Sequence, residues 1–170
     1  MALNNDTVVI VKYLHVTCVR NYAIRKAIQD NFNQLKHSNF WRVVANSTLD
    51  TVVLDWCKLF GSRGESTHFS KCAERGIIDF DNEVLAKTNI SKQDYRLLHI
   101  DFVTYRNKSA AHIDIDEWVV RVPYLHNAIE VTYKSFEIFA SNAGIKGLDL
   151  RKEYDGQYAM TMLAINAFAA

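Results

Sequence analysis

The run NFWRVVANSTLDTVVLDWCKLFG, residues 39–61, decides the fold. Trp41, Val44, Ala45, Thr48, Leu49, Val52, Trp56 and Leu59 recur with the three- and four-residue spacing of one helical face. A helix gathers them along one stripe, whereas a strand would scatter them over both sides of a sheet. The spacing predicts a core helix over 39–60. Ser38 or Asn39 can cap its start, and Gly61, with no Cβ, suits a left-handed cap at its end.

Working outward, residues 7–31 contain neither Gly nor Pro and place Val8, Val11, Leu14, Cys18, Ala23 and Ile28 among their apolar positions. They read as one long helix, with Asn5 or Asp6 as its cap, although β-branched Thr7 to Val11 leave the first turn ambiguous with a strand. Lys12, Arg20, Arg25 and Lys26 give it a local positive excess, read as a solvated face, with RNA contact as the alternative. Residues 33–37 read as a polar turn. After Gly61 comes a loop through Ser66, too poor in glycine and lacking the strand that a phosphate-cradling loop requires. Thr67 can cap a short helix to about Glu74, with His68 a surface histidine beside it rather than a functional one. Phe80 to Lys87 reads as another short helix or turn, with Phe80, Val84 and Leu85 inward.

Ser91 opens a helix whose inward stripe, Tyr95, Leu98, Phe102 and Tyr105, leads to Arg106. Residues 113–122 alternate in part and read as an extended connection. Asp114 and Asp116 would point the same way there, a weak divalent-ion signal beside the plainer reading of a solvated loop. Pro123 fits the first position of a helix running through Ile129, Tyr133, Phe136 and Phe139 to Gly144. A connector over 145–150 and a cap at Asp149 or Asp155 precede a last short helix, Tyr158 to Phe168, apolar nearly all round. Such a helix has to be covered, inside the bundle or by a second subunit. The class expected is all-α: an up-and-down bundle of four long helices and one or two short ones, as a single domain over residues 1–170.

A hydrophobic content of 49% with one Pro and six Gly excludes a disordered chain and favours long helices. Twenty Lys and Arg against 19 Asp and Glu leave a net charge of +1, without the domain-wide positive field of a non-specific nucleic-acid coat. Any RNA contact must come from a local patch. Cys18, Cys57 and Cys72 are odd in number and lack metal-ligand spacing, so they read as free thiols of a reducing compartment. The first residues lack the pattern of a signal peptide and no apolar run reaches membrane-spanning length, so a cytoplasmic protein is expected.

The segment Tyr105-Arg106-Asn107-Lys108-Ser109-Ala110-Ala111-His112 carries an Arg followed by a polar residue, with a His after five intervening positions. It resembles the signature of the HEPN superfamily, Arg, four to six residues, His. Residues 54–61 also have a flavour of the HEPN domains linked with abortive infection. The resemblance implies a helical bundle acting as a metal-independent endoribonuclease, the effector of a toxin–antitoxin or phage-defence system, with no cofactor. His112 would be the general acid or base and Arg106 would neutralise charge growing on the phosphate. Asn107 would bond the phosphate or fix the imidazole tautomer, and Lys108 would add charge for substrate binding. Both residue types suit the task, since imidazole exchanges a proton near neutral pH and guanidinium offers forked, permanently charged donors. Homodimerisation, with both motifs lining one cleft, and a cognate antitoxin are implied as well.

Several features pull the other way. In a regular helix residues six apart lie about 120° apart around the axis, so Arg106 and His112 meet only if the helix loosens before the His or the Arg side chain swings across. Ile113 and Asp114 stand where a toxin subgroup has a modified Tyr, and Asp114, Asp116 and Glu117 would repel RNA. The same residues also suit a plain helix end, where Arg, Lys and His bond the last carbonyls. The alternative function is a non-catalytic dimerisation or interaction module.

Overall fold

The computed structural model describes residues 5–62, 64–69, 80–110 and 122–169. Every regular element among them is helical: α1 (Asn5–Asp30), α2 (Phe32–Leu35), α3 (Asn39–Phe60), α4 (Lys92–Tyr105), α5 (Leu125–Asn142) and α6 (Leu150–Ala169). A π-helical turn at Phe80–Val84 runs into a 3-10 turn at Leu85–Lys87, and a second π-helical turn, Arg106–Ala110, continues α4.

The 39–60 helix has the predicted bounds. Ser38 caps it, its hydroxyl accepting from Trp41 N at 3.4 Å. Gly61 corrects the expected cap. Its φ of −78° is right-handed, and its use is space, because a Cβ there would sit 2.6 Å from the Cys57 carbonyl oxygen. The left-handed stop belongs to α5, where Gly144 takes φ +65° two residues past Asn142. Pro123 is not the first helical residue; Tyr124 holds the cap position of α5 and supplies no side-chain bond. The strand-like start of α1 is helical, since packing overrides β-branching at Val8 and Val11.

Long-range pairs fix the topology. Thr17 meets Asp55 and Arg25 meets the Ala45 carbonyl, so α1 and α3 run antiparallel. Tyr105 meets Asp50 and His99 meets the Gly61 carbonyl, so α4 runs against α3. His15 meets Ser135, while Arg20 meets Glu153 and Tyr158 meets Asp30, which sets α6 parallel to α1. With α1 at the centre, the result is a helical bundle.

The longer-than-expected α6 makes five long helices among the described residues instead of four. It begins at Asp149, whose carboxylate accepts from Arg151 N at 2.9 Å, and it carries Gly156 in its interior. The buried apolar groups fall into two clusters. The larger joins α1, α3, α4 and α5 around Trp56, Phe102, Phe139 and Val52; the smaller gathers Ala27, Ile28, Leu35, Trp41 and Ile165 at the far end. Thr161 and Ile165 face inward from the second half of α6 and Phe168 meets the Trp41 ring at 6.1 Å, whereas Met160 and Leu163 are 67% and 70% exposed and stay uncovered among the described residues.

Candidate active site

Ser91 positions the segment that carries the motif. Its hydroxyl accepts from Asp94 N at 3.0 Å and starts α4 where the sequence predicts. The predicted stripe then anchors the helix: Leu98, Phe102 and Tyr105 are buried, and Phe102 packs on Trp56 with ring centroids 4.4 Å apart. At the end of α4 Tyr105 donates its hydroxyl to Asp50 Oδ1 at 2.9 Å, which ties the last turn to α3 immediately before Arg106.

There the helix widens. Residues Arg106–Ala110 form the π-helical turn, which packs against α3. Arg106 is half-buried and Asn107 exposed. The guanidinium donates from Nε and Nη2 to the single Oδ1 of Asn107, at 3.1 and 3.0 Å. A forked donor set is thereby clamped onto one amide oxygen. Lys108, two positions beyond Arg106 on the same turn, is half-buried. Arg106 also lies close enough to Cys57 to draw its thiol pKa down, but burial dominates and pushes that thiol up to about 11. Cys57 and the deeper Cys18, raised further by burial, are protonated buried thiols and not nucleophiles.

His112 lies outside the described residues, as do Asp114, Asp116 and Glu117 with the possible ion site, and Cys72. Of the predicted site the structure brings together Arg106 and Asn107 and places Lys108 on the same turn. Among the described residues no group of three His, Cys, Asp or Glu side chains is arranged to hold a metal ion, and no helix is long and apolar enough to cross a membrane.

Two buried polar groups were not singled out by the sequence reading. His15 is completely buried between Phe60, Phe136 and Phe139, stacked on the last at 5.8 Å with an interplanar angle of 6°. Its Nδ1 lies 2.8 Å from Val11 O and its Nε2 3.1 Å from Ser135 Oγ. The neutral ring is assigned with its proton on Nδ1, given to Val11 O, so that Nε2 and Thr132 O, 3.1 and 3.0 Å from Ser135 Oγ, share the one proton of that hydroxyl. Asp55, also buried, accepts from Thr17 Oγ1 at 2.5 Å, and burial raises its pKa. Their signal in the sequence is a polar residue in register with an apolar stripe: His15 follows Val11 by four and precedes Cys18 by three.

A second feature lies beside the second half of α1, where it faces the start of α5. Tyr22, Arg25 and Lys26 from α1 and Tyr124 and His126 from the start of α5 line a cleft of about 540 Å³. Arg25 donates from Nη1 to Ala45 O at 2.6 Å, while its Nε is buried without a hydrogen-bond partner. No protein family, no curated protein and no solved structure matches the chain.

Proposed function

We propose that the chain is a HEPN-like endoribonuclease that cuts RNA without a metal ion, working through Arg106, Asn107, Lys108 and His112. The observation that supports it most is the Arg106–Asn107 pair, a guanidinium held by two bonds at the solvent edge of a π-helical turn. Such turns recur at functional sites, and a pre-oriented guanidinium matches phosphate oxygens with little further loss of freedom. In this reading Arg106 neutralises the charge that grows on phosphorus, and Asn107 orients it. His112 exchanges the proton of the ribose 2′-hydroxyl or of the leaving 5′-oxygen, and Lys108 binds the strand. The biological setting would be a cytoplasmic effector of a toxin–antitoxin or abortive-infection system, acting as a homodimer and restrained by an antitoxin.

The test is an RNase assay with chelator present, on wild type, Arg106→Ala and His112→Ala, with circular dichroism as the control for folding. Cleavage by wild type and loss in both folded variants is expected. A wild type that leaves a broad RNA panel uncut sinks the proposal. The second reading, a non-catalytic interaction module, is favoured by the exposed Met160 and Leu163 on α6. Light scattering that shows a monomer, with or without RNA, would count against it.

A further inference from the structure

The α1–α5 cleft has a chemistry of its own, apart from the Arg106 motif. Arg25 and Lys26 supply two cations from adjacent positions of α1, and His126 supplies an imidazole from the first turn of α5. Tyr124 gives the start of α5 no side-chain cap and its first turn holds no acidic residue, so neither of these occupies the leading amides. Among the described residues no carboxylate lines the cleft; Asp30, which pairs with Lys26, sits one helical turn further along α1. Arg25 retains a buried Nε with no hydrogen-bond partner, a donor that normally finds an acceptor in a folded protein. Arg25 holds Ala45 O through Nη1 and Lys26 holds Asp30 in an ion pair open to solvent, so the cleft offers an anion the unpaired Arg25 Nε, the His126 imidazole and a lysine whose partner can be exchanged.

The aromatic side chains narrow the class of anion. Tyr124 lines the cleft and is 67% exposed, in ring contact with His126 at 6.2 Å, while Tyr22 beneath is buried. A large ring kept at the surface beside cations is the arrangement on which nucleic-acid bases stack, because every base has a flat face and its phosphate follows one step away. A bare inorganic anion would use the cations and leave the tyrosine without a task.

We propose that the cleft between α1 and the start of α5 binds a nucleoside phosphate, its anionic group held by Arg25, Lys26, His126 and the leading amides of α5, and its base stacked on Tyr124. The ligand is a free nucleotide or one unit of an RNA strand, since both present the same chemistry. The inference leans on the ribonuclease reading only for the choice between those two sources.

Calorimetric titration of the full chain separates the outcomes, with AMP, adenosine and a 2′-O-methyl oligoadenylate as probes. The 2′-O-methyl group removes the nucleophile for cleavage, so the oligonucleotide reports binding alone. AMP should bind and adenosine should bind at least tenfold more weakly. Tyr124→Ala and the pair Lys26→Ala with His126→Ala should each weaken AMP about tenfold or more, while Lys134→Ala, outside both the cleft and the motif, leaves AMP binding unchanged. Binding of the oligoadenylate but not of AMP, with the same sensitivity to the cleft variants, assigns the site to a strand. Arg25 is left intact in these variants because it also braces α3 through Ala45 O. Absence of binding for both phosphate probes, or binding that the cleft variants do not alter, overturns the proposal. RNA cleavage by the same variants is measured in parallel. A protein that cuts RNA but ignores the cleft substitutions loses this inference and keeps its proposed activity, and one that binds AMP but cuts nothing does the reverse.

Discussion

His15 sets an acid limit on the fold, and its size follows from the structure. Burial among three phenylalanines lowers the imidazole pKa from 6.5 to about 4, against a smaller upward pull from the Val11 bond. The unfolded chain therefore takes up a proton near 6.5 and the folded chain only near 4. The stability that neutral His15 contributes is complete above 6.5 and is lost as pH falls toward 4. Between pH 8 and pH 5 this one group should cost about 2 kcal/mol, equivalent to about 4–8 °C in Tm for a chain of this length. Other groups titrate too, and Asp55 works in the opposite sense, because its raised pKa favours the folded state as acid is added. The measurement is thus a difference. Urea unfolding of wild type and of His15→Leu is followed at pH 8 and pH 5, and wild type should lose about 2 kcal/mol more than the variant. Parallel losses in the two proteins would refute the assignment of His15 as a buried neutral base.

Two glycine substitutions should destabilise for different reasons. Gly144→Ala strains a backbone at φ +65° with open space around it and should cost about 1 kcal/mol, whereas Gly61→Ala drives a Cβ into the Cys57 carbonyl and should cost about 1–3 kcal/mol; thermal unfolding checks both. Arg106→Lys keeps the charge but loses the fork onto Asn107, and RNA cleavage should fall at least about tenfold while stability stays within about 0.5 kcal/mol. Cys57, buried and with its thiol pushed up to about 11, should resist iodoacetamide at pH 8 in the folded protein and react on unfolding, as peptide mass mapping would record.

Helix positions were legible wherever a stripe of apolar side chains had to face one way. Trp41 to Leu59 predicts α3, and Tyr95 to Tyr105 with Ser91 predicts α4, because burial and capping act locally along the chain. The start of α6 was hidden by its polar first turns and by Gly156, which a helix tolerates once Tyr154 and Tyr158 pack on its neighbour α1. Gly61 illustrates a different limit: a missing Cβ signals either handedness or crowding, and only the distance to Cys57 O distinguishes them. At the candidate site the identities of Arg106, Asn107 and Lys108 could be read, but not the π-helical widening that orients them. The cleft of Arg25, Lys26, Tyr124 and His126 depends on residues about a hundred positions apart, which no local pattern can join.

The division of the interior into two clusters has a kinetic consequence. The smaller one is made from the ends of α1, α3 and α6 and is sealed by few side chains, with Trp41 and Ile165 the largest contributors. Its helices should fray together as a unit while the assembly around Trp56 holds, so amide protons in residues 26–45 and 158–166 exchange with solvent ahead of those near Val52 and Phe139. The far end of the bundle is thus expected to act as a latch that opens while the rest of the molecule stays closed.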